Sequence, residues 1–177
     1  MEWTFCSIDD DRLKKNDFDC GVPALNDYLI KYARQNHKKG IAKTFVAIAN
    51  PGNWEVAGYY SLSMGEIEFE SLPERYRRGL PRYPLPAVRI GKLAVSQSMQ
   101  GRRLGEKLLM DALNKAVRLS QDIGVFAVTV DALNEPVKQF YLKYGFLPLE
   151  NSDLSLFIPI RSIVGAFESA KKMVFIA

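Results

Sequence analysis

A chain of 177 residues, 47% hydrophobic and 25% charged, has the composition of a folded protein that buries a core without disulfide staples, and its length predicts a single domain over residues 1–177. No apolar run reaches the length of a membrane span, and the acidic start, with Asp9, Asp10 and Asp11, lacks the basic-then-apolar order of a secretion signal. These features predict a cytoplasmic protein with no membrane partner and with Cys6 and Cys20 as reduced thiols. A net charge of +4 suits an anionic ligand without demanding one, and one histidine with two cysteines argues against a metal.

In chain order, Trp3 to Ile8 reads as a first strand. Pro23 stands in the first turn of a helix that carries Leu25, Leu29, Tyr32 and Ala33 at helical spacing and ends near Gly40. His37 lies among polar neighbours and reads as a solvated helix residue. Lys43 to Ala49 and Val56 to Met64 read as a hairpin around the turn Asn50-Pro51-Gly52-Asn53. Glu66 to Leu72 extends the second strand. Pro81, Pro84 and Pro86 then argue against a continuous element. That stretch holds Arg75, Arg77, Arg78 and Arg82 with Tyr76 and Tyr83 between them. It is either a solvated loop edge or a contact for RNA phosphate.

An apolar strand, Ile90 to Val95, leads through a polar connector into a helix over Arg102 to Asp122. Its stripe is Leu104, Leu108, Leu109, Ala112, Leu113, Ala116 and Leu119, and Gly124 is its C-cap. Val125 to Val130 reads as a buried strand. A helix containing Glu135, Pro136, Val137, Phe140 and Tyr141 follows and closes at Gly145. Phe146 to Leu149 and Asp153 to Ile158 are strands, Ser162 to Ala170 a last helix, and Met173 to Ile176 a terminal strand. The order predicts a mixed α/β fold with one central sheet. A doubly wound nucleotide fold is rejected, because no G-x-G-x-x-G follows the first strand and no Walker lysine is present.

The connector Gln100-Gly101-Arg102-Arg103-Leu104-Gly105 sits where a strand hands over to a helix, a place whose open N–H groups and dipole suit a phosphate. It resembles the pyrophosphate loop Q/R-x-x-G-x-G/A of the GNAT superfamily of N-acetyltransferases. Gln100 and Gly105 match, Arg103 replaces the middle glycine, and Gly101 lies two places earlier. Leu93-Ala94-Val95 resembles that family's fourth strand. Asn134 to Phe146 resembles its N-x-x-A-x-x-x-Y-x-x-x-G-F segment, with Val137 for the alanine. The N-terminal part narrows the likeness. Phe18-Asp19-Cys20-Gly21, Leu25 to Leu29 and Gly58 to Leu62 are similar to the toxin branch, which acetylates the free amine of aminoacyl-tRNA and is held in check by a ribbon–helix–helix antitoxin.

The resemblance implies a GNAT-like acyl-CoA N-acyltransferase fold, a twisted mixed sheet with splayed middle strands and helices on both faces. It implies acetyl-CoA as co-substrate. The pantetheine would pair with the backbone of Leu93 and Val95, and the pyrophosphate with N–H groups of Gly101, Arg102, Arg103, Leu104 and Gly105. Tyr141 matches the family's general acid for the leaving thiolate, or is a packed helix aromatic. Asn134 matches a pantetheine-binding asparagine, or is a simple N-cap. The Val95 N–H is the expected oxyanion donor that polarises the thioester carbonyl. Glu66 and Asp131 are candidates for a base by location alone. The partners implied are aminoacyl-tRNA, the antitoxin and a second copy in a homodimer. The alternatives are an acetyltransferase of a small-molecule or protein amine and a non-catalytic protein-binding module.

Overall fold

A computed structural model describes residues 2–49 and 52–176. The elements are β1 (Thr4–Ser7), α1 (Pro23–Asp27), a π-helical turn (Tyr28–Tyr32), α2 (Ala33–Lys38), β2 (Lys43–Ile48) and β3 (Val56–Ile67). They continue with α3 (Glu74–Arg77), β4 (Leu85–Val95), α4 (Leu104–Ser120), β5 (Ala127–Asp131), α5 (Glu135–Lys143), β6 (Leu147–Leu149), β7 (Ser152–Pro159) and α6 (Ile160–Ile176). The strands form one mixed seven-stranded sheet in the order β1-β2-β3-β4-β5-β7-β6. The chain divides into two compact units, residues 1–63 with 90–112 and residues 64–89 with 113–177. Among the described residues no helix is long and apolar enough to cross a membrane.

In the first unit β1, β2 and the first part of β3 form an antiparallel meander. Val56 to Ser61 are all buried, so this stretch is covered on both faces, and its side chains fill two layers. Tyr59 organises one of them. Its ring is fully buried, meets Phe18 edge-on at 5.6 Å and stacks on Tyr28 at 6.2 Å, and its hydroxyl donates to the Leu25 carbonyl at 2.7 Å. Ile8, Leu29, Ala33, Val46, Ile48 and Ala94 complete this core, each large aliphatic side chain contributing about 1.5–3 kcal/mol on burial. Tyr60, on the opposite face, donates its hydroxyl to Asp111 on α4.

The expected first helix is present from Pro23 to Lys38, interrupted by the π turn. There the Lys15 ammonium donates to the Ile30 carbonyl, and burial pushes the pKa of that ammonium down. His37 is not a solvated residue. It is buried, its Nδ1 accepts the Thr44 N–H at 3.0 Å and its Nε2 lies 3.2 Å from Ser7 Oγ. An accepting Nδ1 fixes the neutral tautomer with its proton on Nε2, so the histidine staples α2 to β1 and β2. The turn expected at Asn50-Pro51-Gly52-Asn53 has its first two residues outside those described. Beside it, Trp54 adopts φ +61°, held by a Lys14 N–H on its carbonyl at 2.8 Å and the Arg12 guanidinium over its ring at 3.6 Å.

In the second unit β7 pairs antiparallel with β5 and β6. Ile67, Leu72, Leu85, Ala87, Ala127 and Phe157 make its core, with Tyr76 edge-on to Phe157 at 5.3 Å. The proline-rich stretch is more ordered than its composition suggests. Glu74–Arg77 is a helical turn, and β4 begins at Leu85, five residues before the expected strand. Pro86 fits because a proline lacks only the donor, and its carbonyl accepts the Phe126 N–H at 2.8 Å.

Three expected elements differ. β3 ends at Ile67, and Phe69 to Ser71, in the stretch expected to extend it as far as Leu72, form a 3-10 turn instead. Gly124 has no left-handed φ; α4 stops at Ser120, where Ser120 Oγ turns back to the Val117 carbonyl at 2.6 Å and the Ile123 N–H closes on Leu119 at 3.0 Å. Residues Met173 to Ile176 are not a strand but the last turn of α6, since a four-residue apolar run carries no period that separates the two states. Gly145 does close α5, at φ +91°.

Candidate active site

The residues expected to serve catalysis fall in both units, and each group is built by its own elements. In the first unit β4 ends at Val95. The Ser96 N–H donates to the Ala57 carbonyl of β3 at 2.8 Å. Amides alternate sides along a strand, so the Val95 N–H is turned to the edge away from β3. Gln97 to Met99 make a 3-10 turn, and the connector follows.

Gly101 and Arg103 have φ of +74° and +60°. These two left-handed residues bend the chain into the first turn of α4, where the Lys107 N–H makes an i→i−4 bond to the Arg103 carbonyl at 3.2 Å. Helix geometry gives the N–H groups before Lys107 no carbonyl further back in the helix. Among the described residues, no atom beyond Gly101 and its two chain neighbours lies within 4 Å of the place a Cβ on Gly101 would occupy, so the bend is open on that side. The Arg103 side chain folds along the helix instead, with Nε 2.8 Å and Nη2 3.0 Å from the two Glu106 carboxylate oxygens. An arginine in place of the motif glycine thus keeps the glycine's backbone and stays off the open face. The bend, its amides and the exposed Arg102 fit a diphosphate.

Gln100 is used differently from the other connector residues. Its Nε2 donates to the Val95 carbonyl at 3.1 Å and reaches the Cys20 carbonyl at 3.4 Å. It ties the connector to the strand end with its side chain, leaving only its backbone on the connector's path.

What holds α4 in place is Gly58. A Cβ there would stand 2.9 Å from Leu108 Cδ1, 3.0 Å from the Ala94 carbonyl oxygen and 3.2 Å from Leu104 Cδ2. The missing side chain lets the first two turns of the helix lie directly on β3, next to the end of β4. Leu104 and Leu108 are fully buried there.

In the second unit Asn134 and Tyr141 belong to α5. The Asn134 side chain accepts the Val137 N–H at 3.1 Å, so it caps the helix; that bond uses Oδ1 and not the amide donors. Two turns on, Tyr141 is 5% exposed, with Phe140 and Phe146 edge-on at 5.2 Å each. Burial raises its hydroxyl pKa well above that of a free tyrosine, so the phenol keeps its proton throughout the physiological range.

A cavity of about 230 Å³ in the same unit is lined by Glu66, Glu68, Arg89, Asp131, Asn151 and Ser155 among others. Asp131 is engaged on both oxygens, one 2.8 Å from Arg89 Nη2 and the other accepting Ser155 Oγ at 2.7 Å. Glu66 lies exposed on the cavity wall.

The chain belongs to the acetyltransferase (GNAT) family, whose model matches residues 27–146. A tRNA-acetylating toxin of Mycobacterium tuberculosis is 37% identical over 129 residues, 73% of this chain and 75% of the relative. The structure of AtaT complexed with acetyl-methionyl-tRNAfMet is similar at a TM-score of 0.87 and 31% identity, over 94% of this chain and 99% of that one. A tyrosine-to-phenylalanine mutant of the AtaT toxin, bound to the C-terminus of the antitoxin AtaR and acetyl-CoA, is similar at a TM-score of 0.80 and 30% identity, with coverage of 94% and 99%.

Proposed function

We propose that this protein is a cytoplasmic toxin that moves the acetyl group of acetyl-CoA onto the free amine of aminoacyl-tRNA, and that residues 1–177 act as one acetyltransferase domain. The observation that carries the reading is the likeness, over 94% of the chain, to a toxin solved with its acetylated tRNA. The left-handed bend at Gly101 and Arg103 supports acetyl-CoA as the donor, because it prepares amides for a diphosphate in the family's own place. Relatives held by an antitoxin support an antitoxin partner for this chain.

The roles are those the family resemblance implies, and chemistry says what each group can do. Acetyl-CoA supplies an acetyl group already activated as a thioester. Gly101 to Gly105 hold its diphosphate with backbone N–H groups, aided by the Arg102 charge, and Leu93 to Val95 present strand-edge amides and carbonyls to its amide arm. The Val95 N–H, turned away from β3, stabilises negative charge on the acetyl oxygen. Asn134 offers its amide donors to the arm while Oδ1 caps α5. The Tyr141 hydroxyl, protonated at neutral pH, gives its proton to the departing sulfur, and the proton that the attacking nitrogen sheds as the amide forms restores the phenol through solvent. Binding both substrates supplies proximity and orientation. Asp131, paired with Arg89 and Ser155, is not assigned as a base. The amine of an aminoacyl ester is less basic than a lysine amine, so it needs little help to reach the neutral form that attacks.

The test is mass analysis of a translation mixture given the protein and acetyl-CoA. Acetylated aminoacyl-tRNA and arrested synthesis are expected; intact aminoacyl-tRNA with running synthesis would move the acceptor to another amine. In the same assay Tyr141→Phe should lower kcat about 100-fold or more with acetyl-CoA affinity kept. A normal kcat would remove the assigned acid.

A further inference from the structure

The segment Phe18 to Asn26 sits far from the connector in sequence, yet it is hydrogen-bonded to the approach to it. The Gln97 N–H donates to the Asp19 carbonyl at 2.8 Å, and Gln100 Nε2 reaches the Cys20 carbonyl at 3.4 Å. Gly21 lies under the Gln97 side chain so closely that a Cβ there would come 2.6 Å from Gln97 Nε2. Two side chains fix these carbonyls. Asp19 Oδ1 accepts both the Gly21 N–H and Asn26 Nδ2, each at 2.8 Å, and Asn26 Oδ1 accepts the Cys20 N–H at 2.9 Å. The result is a closed set of bonds. Asn26, half-buried on α1, holds Asp19 and Cys20, whose carbonyls hold Gln97 and Gln100 on either side of the 3-10 turn that leads into the left-handed bend.

We infer that Asp19 and Asn26 form a latch that positions the acetyl-CoA loop, so that this N-terminal segment sets affinity for the donor without touching it. The reasoning is geometric. A loop held at two points three residues apart by carbonyls of fixed direction loses the freedom to swing its amides, and a preformed amide cradle binds a diphosphate without first being ordered. The inference rests on acetyl-CoA as the ligand of that loop. It gives Asp19, Gly21 and Asn26 a joint role that core packing does not explain: Asp19 and Gly21 are exposed and contribute hydrogen bonds, not buried surface.

The side chains make the test sharp, because both bonds to Asp19 end on the same oxygen. Asp19→Asn keeps an acceptor at Oδ1, removes the charge and puts an amide donor in place of Oδ2, which neither bond uses. Asp19→Ala removes the acceptor, and Asn26→Asp turns a donor into a second carboxylate facing the first. We expect Asp19→Ala and Asn26→Asp to raise the acetyl-CoA KM about three- to tenfold, the loss of a hydrogen bond or two expressed in binding, with kcat and the KM for aminoacyl-tRNA unchanged. Asp19→Asn should behave as wild type. Amide hydrogen exchange without ligand should quicken over residues 97–105 in the first two variants and not in the third. An unchanged acetyl-CoA KM in Asp19→Ala overturns the latch. So does a fall in kcat matched only by a fall in Tm, which is general destabilisation, or tighter acetyl-CoA binding by Asp19→Asn, which would mean that the charge acts through its field. If the wild type binds no acetyl-CoA, the donor assignment itself is wrong, and the exchange comparison still decides whether the segment restrains the loop.

Discussion

Arg103 carries a left-handed backbone, φ +60°, at the place where the family's pattern has a glycine. A side chain in that conformation costs about 1–2 kcal/mol. Its ion pair with Glu106 offsets little of this, since the arginine is 78% exposed and surface pairs contribute about 0–1 kcal/mol. Arg103→Gly should therefore raise Tm by about 2 °C, read by calorimetry, while the Kd for CoA stays within about twofold because the side chain is already turned to Glu106. A lower Tm would mean that the pair outweighs the strain. His37 allows a second prediction at this scale. Burial first, then the neighbouring Lys43 charge, lowers its pKa below the ordinary 6.5, and the accepting Nδ1 has no room for a second proton. The unfolded chain takes that proton first as pH falls. The stabilisation is complete above about pH 6.5 and is lost as pH drops through the lower folded pKa. Tm measured from pH 7.5 to 5.5 should fall, and the fall should disappear in His37→Gln. The chain has one histidine, so no other imidazole contributes to the difference.

At the scale of elements, the close approach of α4 to β3 depends on the absence of one Cβ. Gly58→Ala forces that atom against Leu108, Leu104 and the Ala94 carbonyl, an overpacking that costs about 1–3 kcal/mol. Tm should drop by about 3–10 °C, and acetyl-CoA KM should rise because the displaced first turn carries the amides proposed to hold the diphosphate. A variant with unchanged Tm and KM would show that the helix is not held there. The same helix shows what sequence reading could reach. Of the expected stripe, Leu104, Leu108, Leu109, Ala112, Leu113 and Ala116 are buried and Leu119, in the last turn, is half-buried, because an amphipathic period declares its own inward face. The connector was legible by the spacing of its glycines and arginines, as was the place of Tyr141 on a helix closed by Gly145. Features made by distant partners were not. The π turn is met by Lys15, fifteen residues upstream of Ile30. His37 is buried by Ser7 and Thr44, though its sequence neighbours are polar. The bonds of the Asp19 and Cys20 carbonyls to the approach of the connector cross some eighty residues of chain, and no local pattern announces them.

At the scale of the whole molecule, 24 basic and 20 acidic side chains leave a charge of only +4, so binding a polyanion depends on where the cations stand. The arginine-rich stretch is the place to look, but its arginines are not equivalent. Arg77 is consumed by structure: its Nε and Nη2 donate to the Leu72 and Glu70 carbonyls at 2.7 Å each, and Nη2 lies 2.6 Å from Glu150. Arg75 lies with its guanidinium 4.9 Å from the centre of the Tyr76 ring. Arg78 and Arg82 are exposed, and Tyr83, next to Arg82 in the chain, is 63% exposed, a combination that suits phosphate contact with a ring for stacking. Each phosphate neutralised releases counterions, so log affinity for tRNA should fall with log salt by about 0.7–0.9 per contact. Replacing Arg78 and Arg82 together by alanine should lower that slope by about 1.5–2 and weaken tRNA binding most at low salt. Tm and acetyl-CoA KM should stay as in the wild type, since neither side chain is buried. Arg77→Ala should do the reverse, lowering Tm because it leaves two carbonyls and Glu150 without their donor, with little change in slope. An unaltered slope in the double variant would move the tRNA surface to another part of the chain.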